Sequence, residues 1–413
     1  MYSKGKYFIL QCIVMLISPI TSLFVSIRFY KSEISQLFFV IFAFYFGYHL
    51  GFVHDLMNHY RDMLELYVNR SVSAIFADER IYLMGQDIYH VLFKLVVSRI
   101  SLSSQFFGGM ACAMYAAFFI FFFRQLSVFY KNNKLTILTA LLLLTITFIV
   151  EFYWYQGLRF RTGLFYFAAV YLKYVNTKNR LYLLALLISP LFHFTLIMLV
   201  ATVILDFLLR HIGVATRVIL FVISLYIRAQ NVDFVPLMLK YIPFTQNLSI
   251  AVTDDRIRNN WRDRMADVRA NGNMFYGHRN DFLLFWGLII LFFLRRYNAH
   301  KDPRYVCLVT FALTLFTIAN FGYGDMTFYD RFYQASMLFF YTYLYAMVVI
   351  HADRLKNKVY LISIFVLPPM IYAFATPFVE QRAYIFHLDF IFGNFFSNWD
   401  GNLQQGINYD WRR

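Results

Sequence analysis

QFFGGMACAMYAAFFIFFF, residues 105–123, runs for nineteen positions without a charged side chain. One helix needs about 20 apolar residues, at a rise of about 1.5 Å each, to cross the hydrocarbon core of a bilayer. The stretch therefore predicts a membrane-spanning helix, and the rest of the chain repeats the pattern. Further spans are expected near residues 7–27, 36–53, 135–152, 162–175, 182–209, 213–229, 281–294, 305–320, 333–350 and 359–376. In 182–209, too long for one crossing, Pro190 followed by His193 and Thr195 breaks the middle, which predicts either two short helices or one kinked helix. The expected fold is all-α: a single polytopic integral membrane domain over residues 1–413 with about 11–12 transmembrane helices.

Composition leads to the same class. The 413 residues are 60% hydrophobic and 15% charged, with a mean hydropathy of +0.54, which leaves too little polar surface for a soluble globule. A net charge of +15 would suit nucleic acid in a soluble protein. Here the basic residues sit in short clusters between apolar runs, as the cytoplasmic Lys and Arg of membrane proteins do, so no nucleic-acid partner is expected. Cys12, Cys112 and Cys307 lie inside apolar runs without a CxxC pair and read as packing residues. Lys4 and Lys6 precede an apolar stretch with no small-residue cleavage site, so that stretch reads as a first span and not a removed signal.

Positive-inside counting assigns Arg124/Lys131/Lys134, Lys173/Lys178/Arg180, Arg210/Arg217, Arg295/Arg296/Lys301/Arg304 and Arg354/Lys356/Lys358 to the cytoplasm, provided 182–209 crosses twice. The outward segments are then 54–104, 153–161, the turn near 192, 230–280, 321–332 and the tail 377–413. The polar constellations fall there. Within 54–104, an amphipathic stretch from Ile88 to Ile100, too short to span, is expected to lie in or dip into the interface beside Asp87 and Tyr89.

Chemistry concentrates in four places. Glu151-Phe-Tyr-Trp-Tyr-Gln156-Gly157-Leu-Arg159-Phe-Arg161 places two arginines where a helix begins, and an N-terminus reinforced by guanidinium suits phosphate or diphosphate. On a helix the two point about 200° apart, so one pocket takes only one of them. His193, just after Pro190, is a polar residue at the end of an apolar segment, and its pKa range suits removing a proton from a sugar hydroxyl. Asp55, His59 and Tyr60 follow the second span, where the cluster suits sugar binding or a general base. Gly322-Tyr-Gly-Asp-Met-Thr-Phe-Tyr329-Asp330-Arg331 repeats the design of the 153–161 turn, with tyrosines and glycines leading to an arginine. Arg256 and Arg258 lie in a mixed-charge stretch of 230–280 that also suits a solvated, salt-bridged helix. No metal-ligand spacing and no Gly-rich phosphate loop occurs, so neither a metal, a cofactor nor a nucleotide donor is expected.

Taken in order, Asp55 with Tyr60, Gln156-Gly157-Leu158-Arg159, Leu191-Phe192-His193-Phe-Thr195 and Arg331-Phe332 resemble the bacterial O-antigen polymerase group, including the related EpsG family of exopolysaccharide membrane proteins. The central resemblance covers residues 150–205; Phe160 stands where the family has Gln, and Arg161 adds a second charge. It implies a GT-C-like glycosyltransferase on the periplasmic face of the inner membrane that joins undecaprenyl-diphosphate-linked oligosaccharide repeats, with lipid diphosphate as leaving group. Donor, acceptor and bilayer are the implied partners, together with a chain-length regulator. On that basis Arg159 or Arg161, with Arg331, compensates the diphosphate charge, and His193 handles or orients the acceptor hydroxyl. Asp55, Tyr60, Gln156, Tyr329, Asp330, Arg256 and Arg258 then bind sugar or phosphate. A lipid-linked oligosaccharide flippase and an O-antigen ligase are the competing readings. Polar groups gathered at one face, without repeated halves, favour an enzyme over a transporter.

Overall fold

The computed structural model describes residues 4–49, 55–78, 87–130, 136–150, 158–230, 279–294, 303–323, 326–351, 355, 358–385 and 393–396. Among them the chain is all-helical, without strands. The N-terminal part holds α1 (Lys4–Ile17), α2 (Pro19–Arg28), α3 (Glu33–His49), α4 (Asp55–Leu66), α5 (Val72–Phe76), α6 (Ile88–Ile100) and α7 (Ser104–Ser127). There follow α8 (Ile137–Ile149), α9 (Phe160–Thr177), α10 (Leu181–Ala185), α11 (Leu196–Leu208) and α12 (Val214–Ala229). The last four are α13 (Arg279–Leu294), α14 (Pro303–Phe321), α15 (Met326–Ile350) and α16 (Val359–Ile385). Among the described residues three helices are long and apolar enough to cross a membrane: α7, α14 and the Phe328–Ile350 part of α15.

Several expected boundaries change. The span expected over 7–27 is two helices, because Ser18 caps α2 through its hydroxyl and Pro19, at the first helical position, has no N–H to continue α1. The 54–104 segment, expected as a loop with one amphipathic stretch, carries α4, α5 and α6, the last with the expected bounds. Its apolar stripe Ile88, Leu92, Val96 and Ile100 faces outward, while His90 and Lys94 are buried with Val91, Phe93 and Val97. The tail expected from 377 begins inside α16. Arg217, counted among the loop charges, is buried against Asp206. Most of 230–280, with Arg256 and Arg258, lies outside the described residues, as does Gln156.

Two apolar cores form. One is built on α9, whose Phe165, Phe167 and Leu172 pack among α7, α14 and α15. The other joins α3, α4, α6 and α7 through Phe38, Met63, Val97 and Phe107. Helix α7 serves both, and it lies close to α3 because Gly47 has no side chain; a Cβ there would stand 2.5 Å from the Gly108 carbonyl. The outer faces of α11 and α12 expose Ile197, Ile204, Leu208, Ile219, Val222 and Ile223, a surface suited to lipid.

The seam between the cores is set by a second glycine. Gly163, one turn into α9, faces Phe192 and Leu196, and a Cβ there would stand 2.6 Å from the Phe192 Cβ. Phe192 is further held by Tyr89, Phe118 and Tyr166, with ring centroids 4.6, 5.1 and 5.1 Å away. Gly163→Val is therefore expected to push the 192–195 turn away from α9 and destabilise the fold by about 1–3 kcal/mol through overpacking. Thermal unfolding of the purified full chain tests this; an unchanged melting temperature counts against the close approach.

Candidate functional site

The break expected inside 182–209 is where the site is built. A 3-10 turn over Leu186–Leu191 contains Pro190, and α11 restarts at Leu196 with its first bonds, Leu196 N–H to the His193 carbonyl and Ile197 N–H to the Phe194 carbonyl. The N–H groups of Phe194 and Thr195 thus precede a helix and have no partner within it. Phe194 N–H donates to Asp87 Oδ1 at 2.9 Å, and Thr195 N–H donates to His193 Nδ1 at 3.2 Å. The Thr195 hydroxyl lies 2.9 Å from the same nitrogen.

Asp87 is the hinge of the arrangement. While Oδ1 caps α11, its Oδ2 accepts from Arg159 Nε at 2.7 Å and Nη2 at 2.5 Å, a side-on pair that fixes the guanidinium plane at the start of α9. One carboxylate therefore joins the ends of α6, α9 and α11. Burial raises the Asp87 pKa, while Arg159, the Phe194 amide and Arg331 pull it back.

Arg331 comes from α15. Its guanidinium lies 5.4 Å from the Phe160 ring centre, and the His193 imidazole meets the same ring in a T-shaped contact at 5.8 Å. Phe160 thus packs against both a cation and an imidazole. His193 is buried, and its pKa lies well below the usual histidine value, first through desolvation and then through Arg331, Arg159 and His59. It is accordingly a neutral imidazole. With Nδ1 accepting a backbone N–H, its proton sits on Nε2, so His193 presents a donor.

Beyond Asp87 the cluster continues across the seam. His90 on α6 is buried edge-on against His59 on α4, with ring centroids 4.1 Å apart. One turn on, Lys94 is 0% exposed and reaches Asp62 at 2.9 Å, with its ammonium near the Tyr67 ring. Burial first, then His59, Lys94, Arg159 and His193, hold the His90 pKa well below its usual value.

Three residues chosen from sequence, Arg159, His193 and Arg331, thus come together from positions far apart in the chain. The others part from them. Arg161 lies on the other side of α9, in the electrostatic field of Tyr115 on α7. Tyr60 donates to the Leu102 carbonyl at 2.8 Å and ties α4 to the turn before α7. Asp55 opens α4, and its side chain lies outside the described set. Tyr329 accepts from Arg228 Nη1 at 2.9 Å, and Arg228 in turn holds both oxygens of Asp281 at 2.6 and 2.7 Å. Asp330 accepts from Gln334 at 3.0 Å. Two helical positions separate Tyr329 from Arg331, which turns them to opposite sides of α15.

Sequence reasoning did not choose Asp87, His59 or His90 as site residues. A signal was present: Asp87, His90 and Lys94 recur at i, i+3 and i+7, one polar stripe behind the apolar stripe 88/92/96/100. Among the described residues no three metal-ligating side chains converge. Comparison of the chain with family models, with curated proteins and with solved structures gives no match.

Proposed function

We propose that the chain is a bacterial surface-polysaccharide polymerase of the O-antigen type, a multi-pass inner-membrane glycosyltransferase of GT-C-like architecture whose site faces the periplasm. It joins undecaprenyl-diphosphate-linked oligosaccharide repeats. The observation that carries this reading is the convergence of Arg159, His193 and Arg331 on one buried turn. Those are positions at which the sequence resembles that family, and α9, α11 and α15 deliver them independently.

The arrangement suits the chemistry. When a glycosyl group leaves a lipid diphosphate, negative charge grows on the departing phosphate, and preorganised guanidinium groups stabilise it without reorganising. Arg159 is held in plane by Asp87, and Arg331 is held against Phe160. His193, as an Nε2–H donor, orients an oxygen of the acceptor sugar or the diphosphate.

Deleting the gene and resolving the surface glycan by gel tests the class. A single repeat on lipid A core supports a polymerase. Long lipid-linked chains without glycan on the core indicate a ligase, and single lipid-linked repeats accumulating in the cytoplasm indicate a flippase. Complementation then tests the residues: Arg159→Ala and Arg331→Ala, at normal expression, are each expected to lower the extension rate by about 10²–10³-fold and shorten the polymer. Arg161→Ala, on the far side of α9, is expected to fall short of that loss. Wild-type polymer length from the Arg159 and Arg331 variants removes the assignment.

A further inference from the structure

The site as described is rich in donors. Arg159 and His193 Nε2–H present N–H groups, and Lys94 adds an ammonium. Among the described residues two carboxylates of this cluster are engaged: Asp87 takes Arg159 and the Phe194 amide, and Asp62 takes Lys94. Glycosyl transfer also needs a group that accepts a proton. His193 does not fit that role, because using Nε2 as a base requires moving its proton to Nδ1 and breaking the bond from the Thr195 N–H.

His90 fits it. Neither of its ring nitrogens has a hydrogen-bond partner among the described residues, although the side chain is buried. A buried polar group left unsatisfied destabilises the fold, and a ligand hydroxyl bonded to it relieves that cost. A neutral imidazole offers one donor and one acceptor, the complement of a sugar hydroxyl. The charged groups around it, Lys94 and Arg159, keep it neutral before the reaction, and the His59 ring packs edge-on against it at 4.1 Å.

We infer that His90 takes the proton of the acceptor sugar hydroxyl, and that His193 acts as a donor. The step rests on the glycosyl-transfer reading above. The acceptor oxygen forms its bond to the anomeric carbon of the donor as the bond from that carbon to the diphosphate oxygen breaks. The electron pair leaves on the diphosphate, facing Arg159 and Arg331, and the hydroxyl proton passes to His90, which becomes imidazolium.

The charged and titratable groups around His90 are His59 and Asp62 from α4, Lys94 and Asp87 from α6 and its start, Arg159 from α9 and His193 from the 192–195 turn. Burial first, then His59, Lys94, Arg159 and His193, lower its pKa, so activity is expected to stay level as pH falls to 6.5 and to drop only below it, where the base becomes protonated.

Full-length protein in proteoliposomes, supplied with lipid-linked repeats extracted from cells lacking the gene, provides the assay. His90→Gln is expected to lose extension by about 100-fold or more and to lack the acid limb in its residual activity. It should still bind farnesyl diphosphate, used as a prenyl diphosphate probe, as tightly as wild type. His193→Gln should be slower but keep the acid limb. A wild-type rate or an intact acid limb in His90→Gln overturns the assignment. So does loss of the limb in His193→Gln, a result that stands even where the His90 variant does not fold. A wild-type protein that binds farnesyl diphosphate and extends nothing overturns the polymerase reading, and the His90 role with it.

Discussion

Asp87→Ala is expected to lower chain extension by about 10²–10³-fold, as much as losing Arg159 itself. The reason is that one carboxylate places two functional groups. Its Oδ2 holds Arg159 side-on, and its Oδ1 holds the Phe194 N–H, next to His193. Removing it releases the guanidinium from its plane and leaves a backbone donor at the start of α11 unsatisfied, so the His193 turn loosens at the same time. Asp87→Asn should rescue little. An amide has one acceptor atom where two are needed, and its NH2 group turns a donor toward either Arg159 or the Phe194 amide.

The informative measurement is a double-mutant cycle. If Asp87 acts in part through Arg159, the Asp87→Ala/Arg159→Ala protein should be scarcely slower than Asp87→Ala alone, because residues that work as a unit are not additive. Independent, multiplying losses would show that Asp87 acts elsewhere. Thermal unfolding measured on the same proteins separates lost positioning from lost folding. A folded Asp87→Ala protein extending chains at the wild-type rate would remove the carboxylate from the site.

How far the sequence carried this picture depends on the range of the interactions involved. Helices α7, α14 and α15 are legible because a long uncharged run leaves few alternatives. The break at Ser18-Pro19 was equally local, yet the apolar count ran over it; capping chemistry outweighed hydropathy there. Arg159, His193 and Arg331 could be picked out as polar residues at the ends of apolar runs. Which of Arg159 and Arg161 turned inward could not, since helical geometry says that only one does and a partner from another part of the chain, Asp87, decides which. The same holds for α15, where Tyr329 answers to Arg228 and Arg331 to Phe160. His90 and Lys94 look like the polar face of an interfacial helix until α4 is packed over them, and that contact spans thirty-two residues for Lys94 and Asp62.

Asp206→Ala is expected to produce the largest loss of stability. Arg217 had looked like a charge in a loop, but it is buried and pairs with Asp206 at the end of α11. It also donates to the Thr314 hydroxyl at 3.0 Å and to the Leu209 carbonyl at 2.7 Å, tying α11, α12 and α14 together. Deleting the carboxylate leaves a guanidinium enclosed without its counter-charge, and a broken buried pair of this kind costs about 3–5 kcal/mol. In the purified full chain this should appear as a fall in melting temperature of roughly 5–10 °C. Much of that loss reflects the stranded charge and not the strength of the pair, so removing both partners should be milder. Asp206→Leu with Arg217→Met is expected to recover most of the melting temperature, because an apolar pair of similar volume carries no desolvation penalty. Two of the carbonyls that Arg217 serves keep another donor: Leu209 has its bond from the Ile212 N–H and Thr310 its bond from the Thr314 hydroxyl. If the double variant is no more stable than Asp206→Ala, Arg217 contributes through its links to Thr314 and Leu209 rather than through its charge. A wild-type melting temperature for Asp206→Ala alone would mean that the pair is not buried in the folded protein.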